Sequence, residues 1–305
     1  MLLEVKDIKK SYGEKEILHG INFKVQSGRA MGFLGRNGAG KSTTIRCMMG
    51  VFNQNSGEFL MDGREFKPEK YNIGYLPEER GMYAKNKVLP QLVYFAMLRG
   101  GSREDSTKSA KEWIHFFDLD DYANKPLETL SKGNQQKIQI AQAFVNDPDI
   151  LILDEPFSGL DPVNARIFKN AIADFVERGK LVIFSSHQMS YVEEVCDDIC
   201  LINDGNVLLT GSLEQIKRER GRGKLIFKAE SVNLSETSDA IKQAFPNATI
   251  EASDGDFLII DTNSQYGQEE ILRFIMGKGW NIVRFGMFEP SLNDIFISLV
   301  GGEEE

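Results

Sequence analysis

The chain has 305 residues, enough for two domains with one large buried core. Its hydrophobic content of 41% excludes wholesale disorder, and its net charge of -9 argues against a nucleic-acid partner, which a basic face would mark. No apolar run approaches the roughly 20 residues that span a bilayer, and "MLLEVKDIKK" lacks a signal peptide's apolar stretch and cleavage site, so the chain is not expected to cross a membrane.

The opening reads as strands, "LLEVKDI", "EILHGINFKV" and "AMGFLG", rich in β-branched and large apolar residues. A helix is expected from Lys41 to about Met49. "NIGYLP", "ILILDE", "LVIFSS" and "DICLIN" are short, nearly continuous apolar runs, as in a parallel sheet covered on both faces. Between the first two of these lies a helical block. "TKSAKEWIHFFDL" sets Ala110, Trp113, Ile114 and Phe117 on one face, and "GNQQKIQIAQAFV" does the same with Ile138, Ala141, Phe144 and Val145.

After Gly211 the character changes. "EQIKRERGRGKL" is charged and Gly-bearing, which suits an exposed hinge. From Lys224 the order β-α-β-β-α-β is expected, the split βαβ arrangement of ferredoxin-like domains, with a closing helix after Pro290. The chain is thus expected to divide into residues 1–220 and 221–305. Cys47, Cys196 and Cys200 show no metal-ligand spacing and fit reduced thiols; Cys196 and Cys200, four apart, read as one helix's packing residues.

"GRNGAGKS" matches G-x-x-x-x-G-K-[ST] between a strand and a helix. The chemistry requires these residue types. Gly35, Gly38 and Gly40 let the backbone curl so that successive N–H groups face phosphate oxygens. Lys41 neutralises the β and γ phosphates, Ser42 offers its hydroxyl to Mg²⁺, and the helix that follows adds its positive end. Gly35, Arg36, Asn37, Gly38, Ala39, Gly40, Lys41, Ser42 and Thr43 are therefore expected to hold ATP. In "ILILDEP" a buried strand delivers Asp154 to the Mg²⁺, directly or through water. Glu155 follows, placed to polarise a water that attacks the γ phosphate. His187, after the strand "LVIF", lies where α/β proteins bind ligands, within reach of that phosphate. His19 and His115 have no such setting. Tyr12, beside a Gly turn, suits either adenine stacking or the core.

"LSKGNQQK" poses a different question, because it holds no catalytic group yet opens a helix with small hydrogen-bonding residues. Ser131 is a natural N-cap, and Lys132, Gly133 and Asn134 leave N–H groups free. Such an end attracts an anion. Since the phosphate loop already surrounds the chain's own nucleotide, the economical target is a nucleotide held by another subunit.

In order and spacing, "GRNGAGKS", "LSKGNQQK", "ILILDEP", "SGLDP" and "SSH" resemble an ATP-binding cassette (ABC) protein over about residues 1–215. The resemblance implies an α/β P-loop NTPase cassette: a parallel sheet core, an antiparallel β subdomain and a helical subdomain, followed here by a small α+β C-terminal domain. It implies two cassettes sandwiching two ATP molecules, as a homodimer or heterodimer. Ser131, Gly133 and Asn134 would act in trans, Tyr12 would stack on adenine, Glu155 would be the general base and His187 the γ-phosphate switch. Ser158 to Asp161 would communicate across the dimer. Lys132 and Asn134 depart from the usual Leu-Ser-Gly-Gly-Gln, and Glu78 in "YLPEERGMY" stands where most cassettes carry Gln. A carboxylate there can ligate Mg²⁺, but it adds negative charge near the γ phosphate.

"LPEERG" resembles exporter ATPases of the sodium-export and drug-export types, which pair with a separate membrane permease, and "FEPSLNDIF" resembles their accessory domain. The implied location is cytoplasmic, peripheral at the inner face of the cell membrane. The competing reading is a soluble ABC ATPase of repair or translation. Such proteins carry fused cassettes, coiled coils or zinc-binding Cys sets, none of which this sequence shows.

Overall fold

The computed structural model describes residues 1–79, 81–230, 233–253 and 257–300. Arg80 of "LPEERG" and the terminal acidic run Glu303 to Glu305 lie outside the described residues. The chain divides into two compact units, one spanning Met1–Leu213 and one beginning at Glu214.

In the first unit, β1 (Leu2–Tyr12) and β2 (Lys15–Gln26) form an antiparallel pair. Next come β3 (Ala30–Leu34), α1 (Lys41–Met48), β4 (Ser56–Met61), β5 (Arg64–Glu65) and β6 (Ile73–Leu76). The helical block is α2 (Val88–Leu98), α3 (Arg103–Phe116) and α4 (Lys132–Phe144). The unit continues through β7 (Ile150–Asp154), α5 (Pro162–Glu177), β8 (Leu181–Ser186), α6 (Met189–Val195), β9 (Asp198–Asn203) and β10 (Asn206–Ser212).

Two sheets result. The antiparallel one has the order β2-β1-β4-β5, and the other has the order β10-β9-β3-β8-β7-β6, parallel except for β10 at its edge. Every residue of β3, β7 and β8 is buried, as expected of strands covered on both faces. The register pairs Leu34 with Ser186 and Asp154 with Ser185, so the C-terminal ends of β3, β7 and β8 lie abreast. The core joins the two sheets through residues such as Val5, Phe23, Phe33, Ile45, Ile152 and Ile183.

The helical block is bolted to the far end of the sheet. Arg99, just past α2, donates to the carbonyls of Ile73, Gln142 and Ala143. A cation suits the last carbonyls of α4, where the helix dipole is negative. Burial pushes the Arg99 guanidinium down to about 10, so it stays charged at neutral pH. Asn72 donates to the Asn146 carbonyl and Asn146 to that of Ala96, which closes the same joint. Gly74 permits it, because a Cβ there would lie 2.0 Å from the Ala143 carbonyl oxygen.

The second unit contains β11 (Lys224–Glu230), α8 (Leu234–Ala244), β12 (Thr249–Ser253), β13 (Phe257–Asp261), α9 (Gln268–Gly277), β14 (Asn281–Met287) and α10 (Leu292–Val300), preceded by α7 (Leu213–Arg220). Its antiparallel sheet has the order β12-β13-β11-β14, with α8 and α9 as the two crossovers, the split βαβ arrangement. Leu225, Phe227, Ile241, Leu258, Ile260 and Ile271 form its core.

Two expectations need correction. Much of the stretch read as a hinge is helix α7, where Glu214 and Arg218 pair one turn apart. Cys196 and Cys200 do not share a helix: Cys196 caps α6, and Cys200 lies fully buried in β9. Both are free thiols.

Candidate functional site

The loop between β3 and α1 is shaped by its glycines for different reasons. Gly35 must lack a side chain because a Cβ would lie 2.3 Å from the Ile202 carbonyl oxygen of β9. Gly40 has φ +106, and a Cβ there would strike Leu18 at 2.6 Å. Gly38 has open space around it but φ +85, so its backbone conformation is what asks for glycine. Arg36, Asn37 and Gly38 are exposed at the loop's crest, Ala39 and Gly40 are buried beneath it, and Thr43 is half-buried in the first turn of α1. The start of that helix carries no acidic residue and no side-chain cap, which leaves it open to an anion.

Lys41 is buried, and its ammonium donates to the carbonyls of Gly35 at 2.8 Å and Arg36 at 3.2 Å. It also lies 3.6 Å from Oε1 of Glu155, where the two side chains are 6% and 11% exposed. The other Glu155 oxygen lies 2.9 Å from Nδ1 of His187, which is half exposed. Lys41, Glu155 and His187, from three separate strand ends, therefore form one chain of contacts.

Asp154 sits just before Glu155, at the end of β7. Burial pushes its carboxyl above the usual carboxylate range; the Ser185 and Ser42 hydroxyls pull it back, while the charges of Glu78 and Glu155 push it further up. Its Oδ1 accepts from the Ser185 hydroxyl, whereas Oδ2 is buried with no hydrogen-bond partner. Ser42 donates to Oε2 of Glu78 at 3.3 Å. Ser42, Asp154 and Glu78 are thus drawn to one place by the first turn of α1, the end of β7 and the segment after β6.

Other candidates lie apart from this cluster. Tyr12 is exposed at the end of β1, edge-on to Phe52 with the Lys10 ammonium 5.1 Å from its ring centre. Ser131 caps α4 by accepting from the Asn134 N–H at 3.3 Å. That helix start is tied to the loop after Glu155: Gln136 donates to the Pro156 carbonyl, and a Cβ on Gly133 would lie 3.8 Å from the Gly159 carbonyl oxygen. Asp161, which caps α5, ends the same loop. His19 lies in β2, and His115 pairs with Asp120 on the surface.

Motif reading gives no role to Ser185 or Gln136, although "SSH" and "LSKGNQQK" contain them, and Arg99 lies in no motif. A polar pair closing the apolar strand "LVIFSS" was the available signal for Ser185. The partners of Arg99 and Gln136 appear only in three dimensions.

Comparison with known proteins gives a consistent result. Residues 18–158 match the family described as "ABC transporter", and residues 211–300 match "ATP-binding protein DrrA1-3-like, C-terminal domain". The chain is 40% identical to the ABC transporter ATP-binding protein YhaQ of Bacillus subtilis (strain 168), with 100% of both chains covered. It is 29% identical to the Nod factor export ATP-binding protein I of a Burkholderia lata strain, over 69% of this chain and 70% of that one. A solved ATP-binding subunit of an ABC transporter superposes with a TM-score of 0.67 at 30% identity, covering 77% of this chain and 97% of that chain. A glycine-shaped loop between β3 and α1, acidic residues ending β7 and full-length likeness to such a subunit lead to one conclusion: the chain belongs to the ABC transporter ATP-binding proteins, which bind ATP and hydrolyse it to power transport.

Proposed function

We propose that this chain powers an exporter whose membrane path lies in a separate permease, and that it works with a second cassette, each helix α4 closing on the ATP held by the other. The observation that carries the site assignment is the row at the strand ends: Lys41 against Glu155, Glu155 against His187, and beside them a buried Asp154 oxygen that no hydrogen bond satisfies. A buried, unsatisfied carboxylate oxygen calls for a partner. Oxygen ligands from Asp154, Ser42 and Glu78 fit Mg²⁺, which usually takes one or two protein carboxylates and keeps its phosphate ligands. When bound, Mg²⁺ would neutralise charge developing on the phosphates.

The remaining roles belong to the chain itself. Lys41 leaves its loop carbonyls to meet the β and γ phosphates. Glu155 accepts the proton of the attacking water, and His187 holds the γ phosphate and orients Glu155. Tyr12 stacks on adenine. Ser131, Gly133 and Asn134 of the partner cassette offer hydroxyl and N–H groups to the γ phosphate from the opposite side. Export is favoured by the relative named for Nod factor export. Among the described residues no helix is long and apolar enough to cross a membrane; the reading places the subunit at the cytoplasmic face, held there by the permease.

Hydrolysis and assembly test this together. Glu155→Gln should cut turnover about a hundredfold or more, the scale for losing a positioned base. It should also accumulate an ATP-bound dimer, because a ligand that binds only the dimer shifts the population toward it. Ser131→Arg added to Glu155→Gln should remove the dimer in light scattering while leaving ATP bound. Wild-type turnover in Glu155→Gln would sink the base assignment. A dimer indifferent to Ser131→Arg would sink the sandwich.

A further inference from the structure

The hydroxyl of Ser185 sits between the two acidic residues of the site, and although "SSH" contains this serine, the motif reading gives a role only to His187. Ser185 is fully buried near the end of β8, beside Asp154 in the register. Its Oγ accepts the backbone N–H of Glu155 at 3.0 Å and donates its proton to Oδ1 of Asp154. The direction of each bond is settled by chemistry. An amide N–H can only donate, so Oγ accepts there, and its single proton is left for the carboxylate.

Two consequences follow. Glu155 has φ +51, a left-handed conformation that non-glycine residues seldom adopt and keep only where their surroundings hold it. Its own N–H is the group that Ser185 holds, so the hydroxyl fixes the backbone from which the Glu155 side chain reaches Lys41 and His187. The second consequence concerns Asp154, whose two oxygens are made unequal: Oδ1 is committed to Ser185, and Oδ2 is buried with no partner.

We propose that Ser185 is a positioning residue of the ATPase site, which orients the carboxylate of Asp154 so that Oδ2 faces the cation and locks the backbone on which Glu155 acts. This rests on the roles given above to Asp154 and Glu155. One hydroxyl then sets the geometry of both steps, metal capture and water activation. An ordinary buried serine would satisfy polar groups without linking the two.

The test uses the full chain as Ser185→Ala and Ser185→Cys, the second filling the serine's space with a weak hydrogen-bonding group. Fluorescent-ATP binding is measured with chelator and with Mg²⁺, and hydrolysis is measured alongside. For Ser185→Ala, the metal-free affinity should stay within about twofold of wild type, a small energy on the affinity scale. The gain in affinity that Mg²⁺ confers, and kcat, should each fall about tenfold to a hundredfold, the scale for removing a group that orients a metal ligand. Should Ser185→Ala fail to fold, Ser185→Cys is measured in its place with the same expectations, and Ser185→Thr should recover Mg²⁺ dependence by restoring the hydroxyl. An unchanged Mg²⁺ gain with unchanged kcat overturns the proposal. So does a loss of metal-free affinity as large as the loss of kcat, since that reports a disturbed loop. Glu155→Gln, run in parallel, separates the premises: if it hydrolyses ATP normally, the site assignment fails whatever Ser185 does.

Discussion

The ion pair between Lys41 and Glu155 implies that the general-base candidate competes with ATP for the lysine. The two charges lie 3.6 Å apart where their side chains are 6% and 11% exposed. At an effective dielectric constant of about 20, Coulomb attraction at that distance is about 5 kcal/mol. Most is offset by the desolvation of both groups, leaving a net of about 1 to 2 kcal/mol. Incoming phosphate must draw the ammonium away from the carboxylate and give up that net term. Glu155→Gln removes the negative charge and keeps the shape, so metal-free ATP should bind about tenfold more tightly, since tenfold corresponds to about 1.4 kcal/mol. Fluorescent-ATP titration in chelator isolates this step, because neither hydrolysis nor metal binding contributes. Equal or weaker binding by Glu155→Gln would refute the competition and mean that Lys41 is held by its carbonyl bonds alone.

Other predictions test separate parts of the molecule. Glu78→Gln should keep ATP binding and much of the turnover, whereas Glu78→Ala should hydrolyse ATP without driving transport; wild-type transport by Glu78→Ala in vesicles with the permease would remove Glu78 from coupling. Burial pushes the thiols of Cys47, Cys196 and Cys200 above their usual range, so little thiolate exists at pH 8, and all three should resist iodoacetamide until the protein is unfolded. Mass spectrometry showing equally fast native and denatured labelling would contradict that. A fragment ending at Arg220 should stay folded and bind ATP, because the first unit has its own core; loss of a cooperative melt would show otherwise.

What could be read from the sequence was what local chemistry determines. The turn between β3 and α1 was legible because its glycines, lysine and serine sit between an apolar run and a helix, and the structure has a strand and a helix there. The buried faces of α3 and α4 followed from helical spacing, and Ala110, Ile114, Ile138, Ala141 and Phe144 are indeed buried. Strands β4, β5 and β10 were missed: β4 and β10 carry Gly and Ser that read as turn, and β5 spans only two residues. Helix α7 was hidden by its charge, since a helix rich in Lys, Arg and Glu looks like a linker until its pairs are seen one turn apart. Within the site, the motifs named Asp154, Glu155 and His187 but not their linkage. Ser185 acquires meaning only from the pairing of β7 with β8, which a single sequence does not display.

The joint around Arg99 makes helix α4 a lever. Its 13 residues span about 20 Å at 1.5 Å per residue. The fulcrum is at Gln142 and Ala143, where the guanidinium and the close approach of Gly74 fasten the helix to the start of β6. Its tip is Ser131. A tilt of about ten degrees about the fulcrum would carry that tip, about 17 Å away, by about 3 Å, a displacement as large as a hydrogen bond is long. A displacement delivered near the fulcrum, where α2 and α4 meet, would reach the tip enlarged by the length of the arm, working against the bond from Gln136 to the Pro156 carbonyl. Loosening Arg99 would slacken the lever without touching any group that meets the nucleotide.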